Sequence, residues 1–287
     1  MASGRGDDMR AIITMMQLTF YEALRKRILL ATAIGGGAFL LLYAIAFHFI
    51  GAQIKGQGGA MANLQHQIGL SMFTLAGLYA VNFLTLMSAV LLPLDTLSGE
   101  IASGVAQTIA SKPIRRTDIV LGKWLAYVLV VLAYVVALSG GVLAIARWMG
   151  GYTPPDIHIG IPLMMFESLL LVTLSIWGGT RFTTVTNGVV AFGCYGIAFL
   201  GGWVEQIGGW TDNVAAQNVG TIASLLMPTE SLWQLAAHHM QPAMLAQLHA
   251  SPFSAAIAPS PAMVVWAACW GATALVLALR SFQKRPL

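Results

Sequence analysis

Six stretches of about 20 apolar residues each, in a chain with very little charge between them, constrain this sequence more than any other feature. They fall at roughly 28–50, 68–94, 119–146, 161–180, 185–204 and 262–280. In lipid a backbone amide finds no water, so only a segment that satisfies its own hydrogen bonds can cross. A helix of about 20 residues, at about 1.5 Å per residue, spans a hydrocarbon core of about 30 Å. The fourth and fifth stretches are separated only by a polar patch from Arg181 to Asn187, and bilayer thickness requires two spans there. Charged residues make up 9% of 287 positions, where an average soluble domain carries roughly 25%. Such a surface needs lipid to cover it. No polar stretch is long enough for a soluble domain, so the expected fold is one all-α membrane domain over 1–287.

The basic residues orient the spans. Arg5, Arg10, Arg25, Lys26 and Arg27 precede the first; Lys112, Arg115, Arg116 and Lys123 lie between the second and third. Arg181 separates the fourth from the fifth, and Arg280, Lys284 and Arg285 follow the sixth. The opposite side keeps Lys55 and Arg147, and the segment 205–261 has no Lys or Arg. The positive-inside rule then places both termini in the cytoplasm, in the cell's inner membrane. A net charge of +4 distributed this way marks membrane topology and gives no reason to expect a nucleic-acid partner. Cys194 and Cys269 fall inside apolar stretches, which excludes a disulfide framework or a Cys-based zinc site. No A-x-A-like site follows the first apolar run, so that run is expected to be a retained span and no signal peptide.

Two segments outside the spans carry helical patterning. Over 9–27, Arg10, Thr14, Gln17, Tyr21 and Arg25 recur on one face while Ile13, Met16, Phe20 and Leu24 fill another. Glu22 and Lys26 form an i,i+4 pair. This predicts an amphipathic helix in the inner interface; the plainer reading is an extension of the first span. The outer segment 205–261 is too long for a connector. Val219–Leu226 is apolar, Pro228 and Thr229 precede Glu230 as a helix start, and Trp233, Leu235, Ala236 and Met240 continue it. Short outer helices are expected there, pictured as a cap lying across the outer mouth.

The segment from Asp95 to Lys123 is the most informative. Leu97, Ile101, Val105 and Ile109 recur every four residues and line one stripe of a helix, with Ser98, Gly99, Ser103 and Gly104 between. Lys112-Pro113 ends that helix, Thr117 is a natural N-cap for the next, and Asp118 suits its positive end. The residues alone leave two readings open. One is a solvated hairpin whose basic residues only enforce topology. The other is a docking element that seats its apolar stripe in a groove of a cytoplasmic partner, with Lys112, Arg115 and Arg116 at the rim.

The pattern G-E-x-x-S-G-x-x-Q-x-x-x-S-K-P-x-x-R-x-x-x-x-x-G-K, Gly99 to Lys123, resembles the loop between spans two and three of ABC-2-type permeases of ABC transporters. Met227 to Glu230 resembles the N-P-T that often opens their outer helix. Within the family the chain looks most like single-gene permeases such as that of the nitrous-oxide-reductase maturation transporter. It departs at Val105, where many relatives have Thr. The resemblance implies a homodimer or close heterodimer of permeases, two copies of a separate ABC ATPase holding ATP and Mg, and no cofactor in this chain. It also implies a coupling helix made of Glu100, Ile101, Ser103, Gly104, Val105, Gln107 and Thr108, flanked by Lys112, Pro113, Arg115 and Arg116. No G-x-x-x-x-G-K-[ST] occurs, so the chain is not expected to be an enzyme.

Few residues inside the spans invite chemistry. Glu167 is an intramembrane carboxylate, which by default points to a transport path; Pro162 places it near the outer end, where headgroups could hydrate it. Asn82 more often joins helices than binds substrate. His238, His239 and His249, with Met240 and Met244, gather in the outer segment as weak metal candidates whose spacing is not diagnostic. An ATP-driven export permease is the leading expectation. A force- or signal-transmitting subunit of the same shape is the alternative, followed by an ion-coupled secondary transporter, for which no inverted repeat is evident. An intramembrane enzyme would need a partner for Glu167 that the sequence does not offer.

Overall fold

A computed structural model describes residues 3–54, 60–105, 115–242 and 259–285. Among them are ten helices and no strand: α1 (Ser3–Arg25), α2 (Arg27–Ile54), α3 (Ala60–Leu91), α4 (Ser98–Ala102), α5 (Arg116–Gly150), α6 (Ile157–Gly179), α7 (Thr184–Trp210), α8 (Val214–Leu226), α9 (Thr229–Met240) and α10 (Ala262–Lys284). Six are long and apolar enough to cross a membrane: α2, α3, α5, α6, α7 and α10. They correspond one for one to the six apolar stretches.

Burial ranks the spans from centre to rim. Two-thirds of the apolar window of α6 is buried (67%), against 11% for α2 and 22% for α10, which leaves those two facing lipid or another chain. Helix α6 touches α3, α5, α7, α9 and α10, and α5 touches α1, α2, α3, α6 and α10. The shared core is formed by Leu78, Leu86, Tyr127, Val131, Met164 and Leu170, among others.

Helix α1 is a separate element, as its patterning predicts, but it lies chiefly along α5 rather than continuing α2. Its buried stripe is Met15, Thr19 and Ala23. The apolar residues Ile13 and Leu24, read from sequence as its second face, remain exposed at 44% and 53%, as a helix bathed in lipid allows. Contact with α5 is backbone to side chain at Gly122, where a Cβ would stand 2.6 Å from the Met15 Cβ. The chain breaks at Lys26. Its ammonium meets Glu22 at 3.3 Å, the expected i,i+4 pair, and donates to the Tyr127 hydroxyl at 3.1 Å. Tyr127 also accepts from Thr96 at 2.6 Å, which joins the α1–α2 elbow to the turn after α3.

The two helices after α7 exist as expected, but they do not lie across a mouth. Helix α8 doubles back antiparallel to α7: a Cβ at Gly208 would stand 2.8 Å from that of Ala216, and one at Gly201 would collide with Ala223. Asn213 caps α8, its Oδ1 accepting from the amides of Ala215 and Ala216. Helix α9 then returns alongside α6, from Glu230 against Gly202 of α7 to Met240 against Gly160. The hairpin tip therefore sits eight or nine residues inside the end of α7, on the order of 12 Å from that end at about 1.5 Å per residue. This is a re-entrant hairpin. The sequence pattern marks an apolar stretch and a partly apolar helix; their direction depends on small residues of α7 such as Gly201 and Gly208, whose spacing does not say which helix packs on them.

Candidate docking loop and buried acids

At the basic end of the bundle, the turn after α3 is fastened before it reaches the exposed loop. Leu92, Thr96 and Leu97 are buried. Asn187 of α7 donates to the Leu94 carbonyl at 3.3 Å and to the Ser175 carbonyl at 2.9 Å. The Ser98 and Thr184 hydroxyls are 2.8 Å apart, and Thr184 donates to Asp95 at 3.1 Å. Helix α4 begins at Ser98 and lasts one turn before Gly104, at φ +76°, reverses the backbone in a conformation that L side chains rarely adopt. The single stripe from Leu97 to Ile109 expected from sequence is thus interrupted at Gly104. Ile109 lies outside the described residues.

Glu100 turns inward to pair with Lys123 of α5, whose side chain is 1% exposed. The pair fixes α4 to the start of a membrane span. Ile101 packs on the core. Arg116 donates to the carbonyls of Arg285 at 2.7 Å and Gln283 at 3.3 Å, tying α5 to the end of α10. Helix α5 starts one residue before the expected cap. Its N-cap is Arg115, without a side-chain hydrogen bond, and Thr117 instead donates to Asp118 at 3.3 Å. Of the residues assigned to docking, Ser103, Val105 and Arg115 are exposed and Gly104 is half-buried. Gln107, Thr108, Lys112 and Pro113 lie outside the described residues.

Near the hairpin tip lies a group of polar side chains within the bundle. Glu167 on α6 is 0% exposed, enclosed by the bundle rather than open to headgroups. Among the described residues neither of its carboxyl oxygens makes a hydrogen bond of good geometry, although the Asn82 side chain of α3 lies beside it, and Asn82 Oδ1 and Thr229 Oγ1 at the tip are likewise without one. Glu230 of α9 lies close enough for its charge to act on Glu167. Glu230 is itself buried, 6% exposed. Tyr79 accepts from Trp203 at 3.3 Å, and its ring tilts against Trp233 with centroids 5.3 Å apart. Glu167 and Asn82 stand out in the sequence as polar residues within apolar runs, whereas Glu230 reads there only as a helix start. Its burial beside Glu167 follows from the doubling back of α8, which no local pattern announces.

Of the weak metal candidates, His238 and His239 lie among the described residues. His239 lies 3.7 Å from Asp156, and burial followed by the charge of His239 lowers His238. Among the described residues no group of three His, Cys, Asp or Glu side chains could hold a metal, and His249 lies outside them.

A family model described as ABC-2 family transporter protein matches residues 13–287. A comparison with curated proteins found no match.

Proposed function

The chain belongs to the ABC-2 family of transporter proteins, and from that premise we propose that this multi-pass membrane subunit is an export permease worked by a separate ATPase. In this reading two permease copies, as a homodimer or close heterodimer, engage two ATPase subunits that hold ATP and Mg. Both termini face the cytoplasm of a cell whose inner membrane holds the protein, because the basic residues concentrate at one end. Within the family we propose a likeness to single-gene permeases such as that of the nitrous-oxide-reductase maturation transporter.

One observation carries the docking part of this reading. The loop that exposes Ser103, Val105 and Arg115 is held to α5 by the buried Glu100–Lys123 pair and to α7 by Asp95, Ser98 and Thr184. A partner pressing on that loop acts directly on two membrane spans. Loops that only enforce topology need no such attachment. The ATPase groove would take Val105, and acidic groups at its rim would meet Arg115.

The test is co-purification with a co-expressed ATPase. Val105→Asp combined with Arg115→Glu changes two exposed side chains, and should cut recovery of the ATPase at least tenfold while membrane insertion stays normal. Undiminished recovery would remove the docking assignment. Glu100→Lys is unsuitable for this purpose, because it sets two cations against each other inside the fold.

A further inference from the structure

The basic end of α10 and the lipid-facing seam between α6 and α10 share a feature that the permease reading does not use. Arg181, Arg280, Lys284 and Arg285 converge around an open cavity of about 570 Å³, with Thr180, Ser281 and Leu277 completing its lining. Among the described residues no carboxylate lines it. Two of the cations are held in place: Arg181 donates through Nε to the Ser281 hydroxyl at 3.1 Å, and Arg285 donates to the Thr180 carbonyl. Arg280 and Lys284 are exposed. Four positive groups in one concavity repel one another unless an anion lies between them.

Leu277 also lines a second cavity, of about 250 Å³, further along the same seam. Its walls are Leu174 and Trp177 of α6 and Trp266, Cys269, Trp270 and Ala274 of α10. Arg181 stands over the Trp177 ring at 5.8 Å, so basic and apolar compartments meet at Trp177 and Leu277. At its far end this groove is bounded by the re-entrant hairpin, because Trp266 and Trp270 each donate to a carbonyl at the end of α8, both at 3.0 Å. From Trp266 to Leu277 is eleven residues, on the order of 16 Å of helix. That matches one leaflet of a hydrocarbon core about 30 Å thick.

We propose that this compound groove is a binding site for one anionic phospholipid of the leaflet at the basic end, its phosphate among Arg280, Lys284 and Arg285 and an acyl chain along Trp177 and Trp270. A free phosphate would use only the basic compartment, and an acidic protein surface would have no use for an apolar extension on the lipid-facing side. A lipid uses both. Basic pockets between spans are a known way of selecting anionic headgroups.

The full chain in neutral detergent tests this by its melting temperature, titrated separately with phosphatidylglycerol, phosphatidylcholine and inorganic phosphate. Phosphatidylglycerol should raise the midpoint saturably, while the other two leave it unchanged. Arg280→Gln with Lys284→Gln should raise the half-saturating phosphatidylglycerol concentration roughly tenfold or more, as the loss of two basic groups at an anionic surface implies. Arg10→Gln with Arg27→Gln, which removes equal charge from exposed positions on α1 and α2, should change it less than twofold. Leu277→Trp, filling the junction, should weaken the response with every charge retained. The proposal is overturned if inorganic phosphate stabilises as well as the lipid, or if the α1–α2 control loses as much as the α10 variant. It is also overturned if adding the partner ATPase abolishes the response, which would assign the basic compartment to that subunit.

Discussion

Lys123 sits 1% exposed near the start of a membrane span, and the carboxylate that neutralises it comes from the exposed loop twenty-three residues earlier. Removing one partner of a buried pair strands the other charge, and such losses are of order 3–5 kcal/mol. Glu100 is 18% exposed, so Glu100→Gln belongs at the low end, about 3 kcal/mol. A clear fall in detergent melting temperature should follow, and Lys123→Met in the same chain should restore most of it. At this scale the sequence was partly readable. A carboxylate inside an apolar run identifies itself, as Glu167 did. Glu100 and Arg116 did not, because an acid or base in a loop looks the same whether it faces solvent or a neighbouring helix.

At the scale of elements, apolar runs located every span and the two described helices of the outer segment, since burial in lipid and in protein both leave such a run. What they could not supply was direction. Small residues on α7 let α8 return along it, and the resulting hairpin depends on the two tryptophans of α10 that satisfy its last carbonyls. Trp270→Phe keeps the ring and removes the donor to Leu226, so it should cost about 1 kcal/mol and speed amide exchange in α8. Exchange unchanged from wild type would mean that water serves that carbonyl equally well. A similar limit applied to α1, where two faces were visible in the charge pattern and the third, packed against Gly122, was not. Its Met15, Thr19 and Ala23 share no chemical class, only a size that permits close approach. Gly122→Leu should lift α1 from α5, and faster proteolysis within α1, with the spans intact, is the expected readout.

Across the whole molecule, segregation of charge is the property that sequence conveyed best, because it requires no knowledge of packing. With a single cysteine introduced at Ser103 in a chain lacking Cys194 and Cys269, an impermeant maleimide should label only after the membrane is opened. One at Asp212 should label in intact cells. The opposite result would invert the topology and place the docking loop beyond the reach of any cytoplasmic ATPase. The position of the hairpin tip has a consequence for permeation. Where Met227, Pro228 and Thr229 interrupt the helices, main-chain polarity is carried on the order of 12 Å inward from the end of α7, near the buried Glu167. Under the permease reading proposed above, a solute moving along that flank would cross less than the usual low-dielectric core of about 30 Å between the two aqueous phases.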